Sequence, residues 1–355
     1  MFALVGCSTP AEEIVADDIS VKVGVITPMS GGLAGYGEET QLILAETIKR
    51  NFGEGSGIEL VYEDSKCTGQ DAVTAYQKLV NVDQVDVILG GLCSSESLAF
   101  APLLEADGMV AISNVSTSPK LEGLSSNFFT LSFSDIELAK LISAEADFSD
   151  KIAIITEQNN WNIGILKVVE QEFGEKIVSN EIFENGANDM RNIIAKTLKA
   201  DPEVIVLNPN AGPTSTTLIT QLAESKDQLE GIALVSQMMS YLTDSVIEQA
   251  PGVADTVRVI DTATVQTDEF KDFKTSVGEI VFYTDYLVAS THDALLNLVN
   301  VYRSAIQNDT DMAEELRNAK LQGYIAEGKS FGDSSFIKGI KYSTFVLEDG
   351  QIIER

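Results

Sequence analysis

The chain has 355 residues, 44% of them hydrophobic, with 54 acidic against 24 basic side chains and a net charge of −30. That length can build two cored units. The acidity reads as a strongly solvated surface and argues against nucleic-acid binding, which needs basic patches to displace phosphate counterions; no apolar run reaches the roughly 18 residues that span a bilayer.

The chain opens with Leu4-Val5-Gly6-Cys7. This stretch resembles the lipobox of bacterial lipoproteins, so Cys7 is expected to carry a lipid anchor outside the cytoplasm; the alternative is an incidental cysteine. Ser8 to Asp18, STPAEEIVADD, is polar and acidic and is expected to be a flexible tether. From Val21 the pattern alternates. VKVGVI, IELVYED, VDVILG and MVAI are strand-like, and helical spacing occupies Glu38–Phe52, Asp71–Val80 and Glu96–Ala106 between them. The order restarts with a helix at Ile136–Asp147. Strands KIAIIT, KIVSNEIF, EVIVLN and GIALVS follow, with helices at Ile163–Phe173, Met190–Lys199 and Ser215–Ala223, and TVRVIDTA leads out. A long, mostly apolar helical stretch covers VFYTDYLVASTHDALLNLVNVYRSAI, a further helix Asp311–Leu321, and KYSTFVL-EDG-QIIE reads as a hairpin around Asp349-Gly350. Strands alternating with helices predict α/β architecture with parallel sheets covered on both faces. Two such units in tandem predict two doubly wound lobes, with the ligand in the cleft outside the carboxyl ends of their strands.

Two glycine-rich stretches invite a nucleotide-enzyme reading. GYIAEGKS, Gly323 to Ser330, matches the phosphate-binding pattern G-x-x-x-x-G-K-[ST]. That loop needs a strand before it and a helix after it. Here a helical segment precedes and FGDSSFIKGI follows, so a plain helix end and loop are expected. GGLAGYG, Gly31 to Gly37, follows a strand, and the next strand ends in Glu63-Asp64, as in a dinucleotide fingerprint. Its glycines do not sit in the strand-to-helix turn, and a ligand-facing loop is the better reading. The single histidine, His292, lies in the apolar helix and reads as packing. No nucleophile elbow is present. No catalytic residue, metal or cofactor is expected.

Four segments together carry a resemblance. VKVGVITPMSGGLAGYGEE, the pair Cys67 and Cys93, GLCSS, and AISNVSTSPKL resemble the leucine/isoleucine/valine-binding family of type I periplasmic binding proteins, which feed ABC transporters. The resemblance covers most of the chain after the tether. It implies a Cys67–Cys93 disulfide. Such a bridge closes a loop of about 25 residues, worth about 3 kcal/mol in the chain-entropy model, and needs an oxidising compartment.

It also implies ligand contacts at Tyr36, Ser94, Val115, Ser116 and Thr117. Ser94 and Ser95 open a helix, whose free amides and partial positive charge suit a carboxylate; the bland alternative is a helix cap. In the second unit, Trp161 is read as a ligand platform and Asn210 as a candidate contact. The family's amine-binding acid would fall within SQMMS, Ser236 to Ser240, where no acid stands and Gln237 and Met238 take its place as candidate ligand contacts. That puts an α-amino acid in doubt, and a small carboxylate, keto acid, aromatic acid or amide fits at least as well.

The resemblance implies a monomeric solute-binding lipoprotein of an ABC importer, closing on a small amino-acid-like or carboxylate/amide ligand and docking on a membrane permease. Residues 1–18 are assigned to the tether, 19–132 plus 265–331 to lobe 1, and 133–264 plus 332–355 to lobe 2. Three hinge crossings are expected near Leu131–Ser134, Thr262–Thr264 and Phe331–Ser335. The rivals are a ligand sensor of the same fold and, more remotely, a nucleotide-dependent enzyme.

Overall fold

The computed structural model describes residues 19–210, 213–237, 248–250, 252–280, 283–348 and 351–355. Cys7, the tether, Met238 and the turn Asp349-Gly350 lie outside them.

The first sheet is five-stranded and wholly parallel. Its strands are β1 (Val21–Thr27), β2 (Ile58–Asp64), β3 (Val87–Gly90), β4 (Ala111–Ser113) and β5 (Phe128–Thr130), in the order β2-β1-β3-β4-β5. Alternation along each strand sends side chains to opposite faces. Val21, Val23 and Val25 enter one core with α1 (Ala34–Asn51) and the long helix α10 (Asp285–Asn308). Ile26, Ile88 and Phe128 enter the other with α2 (Gly69–Asn81), α3 (Ser94–Phe100) and the short α4 (Leu104–Asp107).

The second sheet has seven strands: β6 (Ile152–Gln158), β7 (Ile177–Glu184), β8 (Val204–Asn208), β9 (Ala233–Gln237), β10 (Val257–Thr262), β11 (Tyr342–Glu348) and β12 (Gln351–Glu354). The order is β12-β11-β10-β9-β8-β6-β7, with the last two strands of the chain antiparallel and the rest parallel. Ile152 and Ile154 face α5 (Asp135–Ala146) and α6 (Asn160–Phe173). Ala153 and Ile155 face α7 (Arg191–Lys199) and α8 (Pro213–Ala223).

The expected α/β order is present, with three differences. β5 was not anticipated, being only three residues long and lacking a period of its own. The charged stretch DEFKDFKTSV forms α9 (Asp268–Val277), capped by Thr267, which accepts from the Phe270 amide; Phe270, Phe273 and Val277 are its buried stripe. The long helix starts at Asp285, capped by Thr284, whose hydroxyl accepts the Leu287 amide; Val281 and Phe282 of the expected helical stretch lie outside the described residues.

The chain passes between the sheets three times: from β5 to α5, from β10 toward α9, and from the Thr130–Phe336 bridge to β11. In each sheet the strand order reverses at one point, between β1 and β3 in the first and between β6 and β8 in the second. Crevices at such points bind ligands in open α/β sheets.

Candidate ligand cleft

A cavity of about 400 Å³ lies where those crevices meet. Loops at the carboxyl ends of strands from both sheets line it.

The first wall is built by β1, β3 and β4. Leu33 and Tyr36 come from the segment after β1. Asp64, at the end of β2, fixes that segment: its carboxylate accepts from the Met29 amide (2.8 Å) and the Ser30 hydroxyl (2.5 Å). After β3, Gly90 has φ +136°, and a Cβ there would stand 2.2 Å from the Ile26 carbonyl. Only glycine permits that turn. It delivers Cys93, Ser94 and Ser95 to the cavity. Cys93 is bonded to Cys67, which follows β2, with 5.4 Å between their Cα atoms. The Ser94 hydroxyl accepts from the Ser118 amide (3.2 Å), which leaves its own proton to give, while Ser95 Oγ donates to the Cys67 carbonyl (3.0 Å). The Ser94 and Ser95 amides lie in the first turn of α3, where no intrahelical carbonyl can reach them. Glu96 closes the turn from below. Its buried carboxyl accepts the Cys93 amide (2.8 Å), and burial pushes it up to about 7 against the pull of Ser65 and the backbone amides.

The extended segment after β4 alternates. Val115 and Thr117 face the cavity, and Ser116 faces away. The Ser116 hydroxyl donates to the Gly91 carbonyl (2.5 Å) and shares a hydrogen bond with Ser97 (2.7 Å). Ser116 thus ties the loop to α3 rather than lining the cleft.

The second wall is amide-rich: Gln158, Asn159 and Asn160 follow β6, Asn185 follows β7 and Asn210 follows β8. Buried Glu157 organises it. Its carboxylate accepts the Asn210 amide (2.6 Å) and the Gly186 amide (2.9 Å), fixing both loops. Asn159 lines the cavity, and its Nδ2 is buried with no hydrogen-bond partner among the described residues. Gln237 does not line the cavity: it is wholly buried, and its Nε2 donates to Asn208 Oδ1 and the Pro209 carbonyl (3.2 Å each).

Asp135 joins the walls. It opens α5, and its amide donates to the Thr117 carbonyl (2.9 Å). Its Oδ1 accepts from Trp161 Nε1 (2.8 Å), and the Thr117 hydroxyl bonds the same carboxyl. Burial pushes the carboxyl up to about 7 despite those two donors. Two cavity-lining side chains on opposite walls are therefore held by one buried acid.

Several lining residues escaped the sequence reading: Phe133, Asp261, Thr284, Tyr286 and the asparagines other than Asn210. Tyr286 donates from its phenol to the Leu131 carbonyl (2.5 Å), and Phe133 packs on its ring with centroids 6.1 Å apart. Asp261, at the end of β10, accepts from the Thr262 amide (2.7 Å) and hydroxyl (3.2 Å). A signal was present for it: an acid directly after Val259-Ile260 at a strand's carboxyl end.

Both glycine-rich stretches have structural explanations. In GYIAEGKS the amides of Tyr324, Ile325 and Ala326 do wrap an anion, but the anion is Asp293 of α10 (2.9, 2.8 and 2.9 Å). Gly323 has φ +126°, and a Cβ there would lie 2.0 Å from the Asp293 carboxylate. Asp64, which mimics a ribose-binding acid in sequence, is occupied by its own loop. His292 packs between Phe273 and Tyr324, with Nδ1 on Asp293 (2.7 Å) and Nε2 on Asn51 (3.0 Å).

The family model for periplasmic binding proteins matches residues 20–334. The chain belongs to this family. Its branch is the leucine/isoleucine/valine-binding-like type I group. This binding protein is 27% identical over 241 residues to an amino acid binding protein of Pseudomonas aeruginosa, a match covering 62% of this chain and 60% of the relative. It is 24% identical over 214 residues to the Leu/Ile/Val-binding protein of Escherichia coli, covering 57% of this chain and 58% of that one. The chain thus spans about three fifths of the length of these curated relatives. Among solved structures, a solute binding protein of an ABC transporter from Rhodopseudomonas palustris in complex with p-hydroxybenzoic acid shares the fold, with a TM-score of 0.83, 17% identity, and coverage of 95% of this chain and 96% of that one. So does a branched-chain amino acid transporter substrate binding protein from Streptococcus pneumoniae in complex with isoleucine, with a TM-score of 0.77, 19% identity, and coverage of 95% and 100%. Relatives of this binding protein are solute-binding proteins rather than enzymes. Among the described residues, no helix is long and apolar enough to cross a membrane.

Proposed function

We propose that this binding protein is the extracytoplasmic solute-binding component of an ABC importer. It takes a small carboxylate-bearing ligand with an apolar or aromatic body into the cleft, closes on it by hinge motion and presents it to a membrane permease. The observation that carries the reading is the cavity at the meeting of two strand-order reversals. It has hydroxyl and helix-amide donors at Ser94, Ser95 and Thr117, and Tyr36, Phe133, Trp161 and Tyr286 supply apolar area. The proposed ligand contacts are Tyr36, Ser94, Ser95, Val115, Thr117, Trp161 and Asn210; Ser116 and Gln237 act behind them. The lobe boundaries fall at residues 132, 264 and 331, so that the three crossings form the hinge. Attachment through lipid-modified Cys7, action as a monomer, and delivery to a permease complete the proposal.

Thermal-shift screening of the purified protein tests it. The panel is L-leucine, L-valine, L-phenylalanine, 4-hydroxybenzoate, the matching keto acids and amides, and ATP. A ligand at about 100 times its Kd adds about 2.7 kcal/mol. Stabilisation by a carboxylate is expected; stabilisation by ATP alone contradicts the reading.

A further inference from the structure

Asp135 is fully buried where the chain enters the second unit, and it touches both walls at once. Its amide donates to the Thr117 carbonyl of the first wall (2.9 Å), and its Oδ1 accepts from Trp161 Nε1 of the second (2.8 Å). The Thr117 hydroxyl interacts with the same carboxyl. Oδ2 is buried without a hydrogen-bond partner among the described residues, and a Cβ on Gly164 of α6 would stand 3.6 Å from it. A carboxylate held this way is poorly compensated, and burial pushes the group up to about 7. No basic group comes to its aid. Glu137 stands on its own helix, and Tyr342 of β11 donates to Glu137 (3.2 Å) and feels the charge of Asp135. α5 also packs on β8, β9 and β10. Those strands carry two charged residues: Arg258, paired with Glu145 near the far end of α5, and Asp261 at the cavity. Among the described residues, no lysine, arginine or histidine lines the cavity. Glu96, the other buried acid at about 7, is bonded to Ser65 and the Cys93 amide on the side of α3 away from the cavity.

From this juxtaposition we infer that Asp135 is a positioning residue that sets the direction of the Thr117 hydroxyl, so that a carboxylate ligand enters the cleft together with a proton. The inference rests on the proposed carboxylate-binding cleft and adds its regulation. A threonine hydroxyl has one proton to give. With Asp135 ionised, the carboxylate holds that proton, and Thr117 turns lone pairs to the cleft. With Asp135 protonated, the hydroxyl is released to donate to a ligand oxygen. A ligand carboxylate beside an ionised Asp135 would also place two like charges in one buried site. Binding therefore draws a proton from solvent onto the Asp135 carboxylate, and departure of the ligand returns it. The sign follows. Ligand binding raises the proton affinity of Asp135, so affinity is full while the acid is protonated and falls as pH rises through about 7.

The test is calorimetric titration of the full chain with 4-hydroxybenzoate and with L-leucine at pH 6 and pH 8. Titrations at pH 7.5 in phosphate and in Tris, whose ionisation heats differ, count the protons taken up. At least one of the two is expected to bind about fivefold more weakly at pH 8 than at pH 6, and to take up about half a proton at pH 7.5. Asp135→Asn keeps an acceptor for Trp161 and cannot ionise. It is expected to bind equally at both pH values without proton uptake, whereas Glu96→Gln is expected to keep the fall. Thr117→Val removes the hydroxyl alone and is expected to lose at least about half of the pH dependence. Binding by the wild-type protein without proton uptake overturns the inference and leaves the cleft reading standing. So does a fall with pH that Asp135→Asn retains, that Glu96→Gln abolishes or that Thr117→Val leaves undiminished. No saturable binding of either compound, with the fold intact by circular dichroism, overturns the carboxylate-ligand reading and the inference with it.

Discussion

The two walls of the cleft are built on the same plan and held in opposite ways. Both present loops from the carboxyl ends of parallel strands at a reversal of strand order. The first wall is stapled covalently, Cys67 to Cys93, and its donors are a helix's first amides and small hydroxyls. The second has no covalent tie among the described residues. Its shape depends on buried polar groups: Glu157 under two loops, and Asn208, whose Oδ1 accepts from both Asn162 and Gln237. A stapled wall is a preorganised anchor. A wall of hydrogen-bonded amides can be retuned by single substitutions, which suits the side that sets specificity.

This contrast can be broken at several points. The largest expected effect is on pH dependence, where Asp135 bridges the walls. Its folded-state carboxyl stands at about 7, above the ordinary value near 4. Folding therefore takes up a proton in that window. Stability from this group is fully present below pH 4, declines as pH rises toward 7, and is flat beyond. The full loss is up to about 4 kcal/mol, and Glu96, also at about 7, adds to the slope. Denaturant melts from pH 4.5 to 8 should show stability falling, and Asp135→Asn should flatten much of the slope; an unchanged slope removes Asp135 from this role.

Reduction of the disulfide comes next, costing about 3 kcal/mol. Amide hydrogen exchange should show the loss concentrated around residues 65–68 and 91–97, with the second wall unaltered. Equal loss on both walls would dissolve the distinction between them.

Removal of a single ligand donor on the stapled wall is smaller. Ser94→Ala or Thr117→Val is expected to weaken ligand binding about tenfold, roughly 1.4 kcal/mol, with the melting temperature within a few degrees of wild type. Unchanged affinity in titration would move the anchor elsewhere. The smallest effect is expected at the amide wall, where Asn210→Ala should weaken binding about threefold and shift the preference among ligands. A uniform loss across all ligands would show that Asn210 anchors rather than discriminates.

The same contrast governed how much could be read from the sequence. The first wall is written in contiguous stretches, GLCSS and AISNVSTSPKL, because strand, turn and helix start follow one another along the chain. Within it, Ser116 was misplaced because residue type alone does not say which way an extended segment points. Its hydroxyl went to Gly91 and Ser97 while its neighbours faced the cavity. The second wall collects one or two residues from each of several strands. Asp261 is placed at the cavity by the β9–β10 register, and Asn185 by the Glu157 strap. Gln237 occupied the expected position in sequence, but it turned inward to Asn208. The fold was legible from its alternation, apart from β5, too short to show a period, and α9, whose charge masked its buried stripe.

The most direct test of cleft binding uses Trp161, the single tryptophan of the chain, which lines the cavity beside Asp135. Its emission should be titrated with L-leucine, L-phenylalanine and 4-hydroxybenzoate, in the wild type and in Thr117→Val. A saturable change with at least one of them, shifted about tenfold to higher concentration in the variant, is the predicted result. A flat emission trace with all three, or saturation that Thr117→Val leaves unmoved, would contradict a ligand held between these two walls.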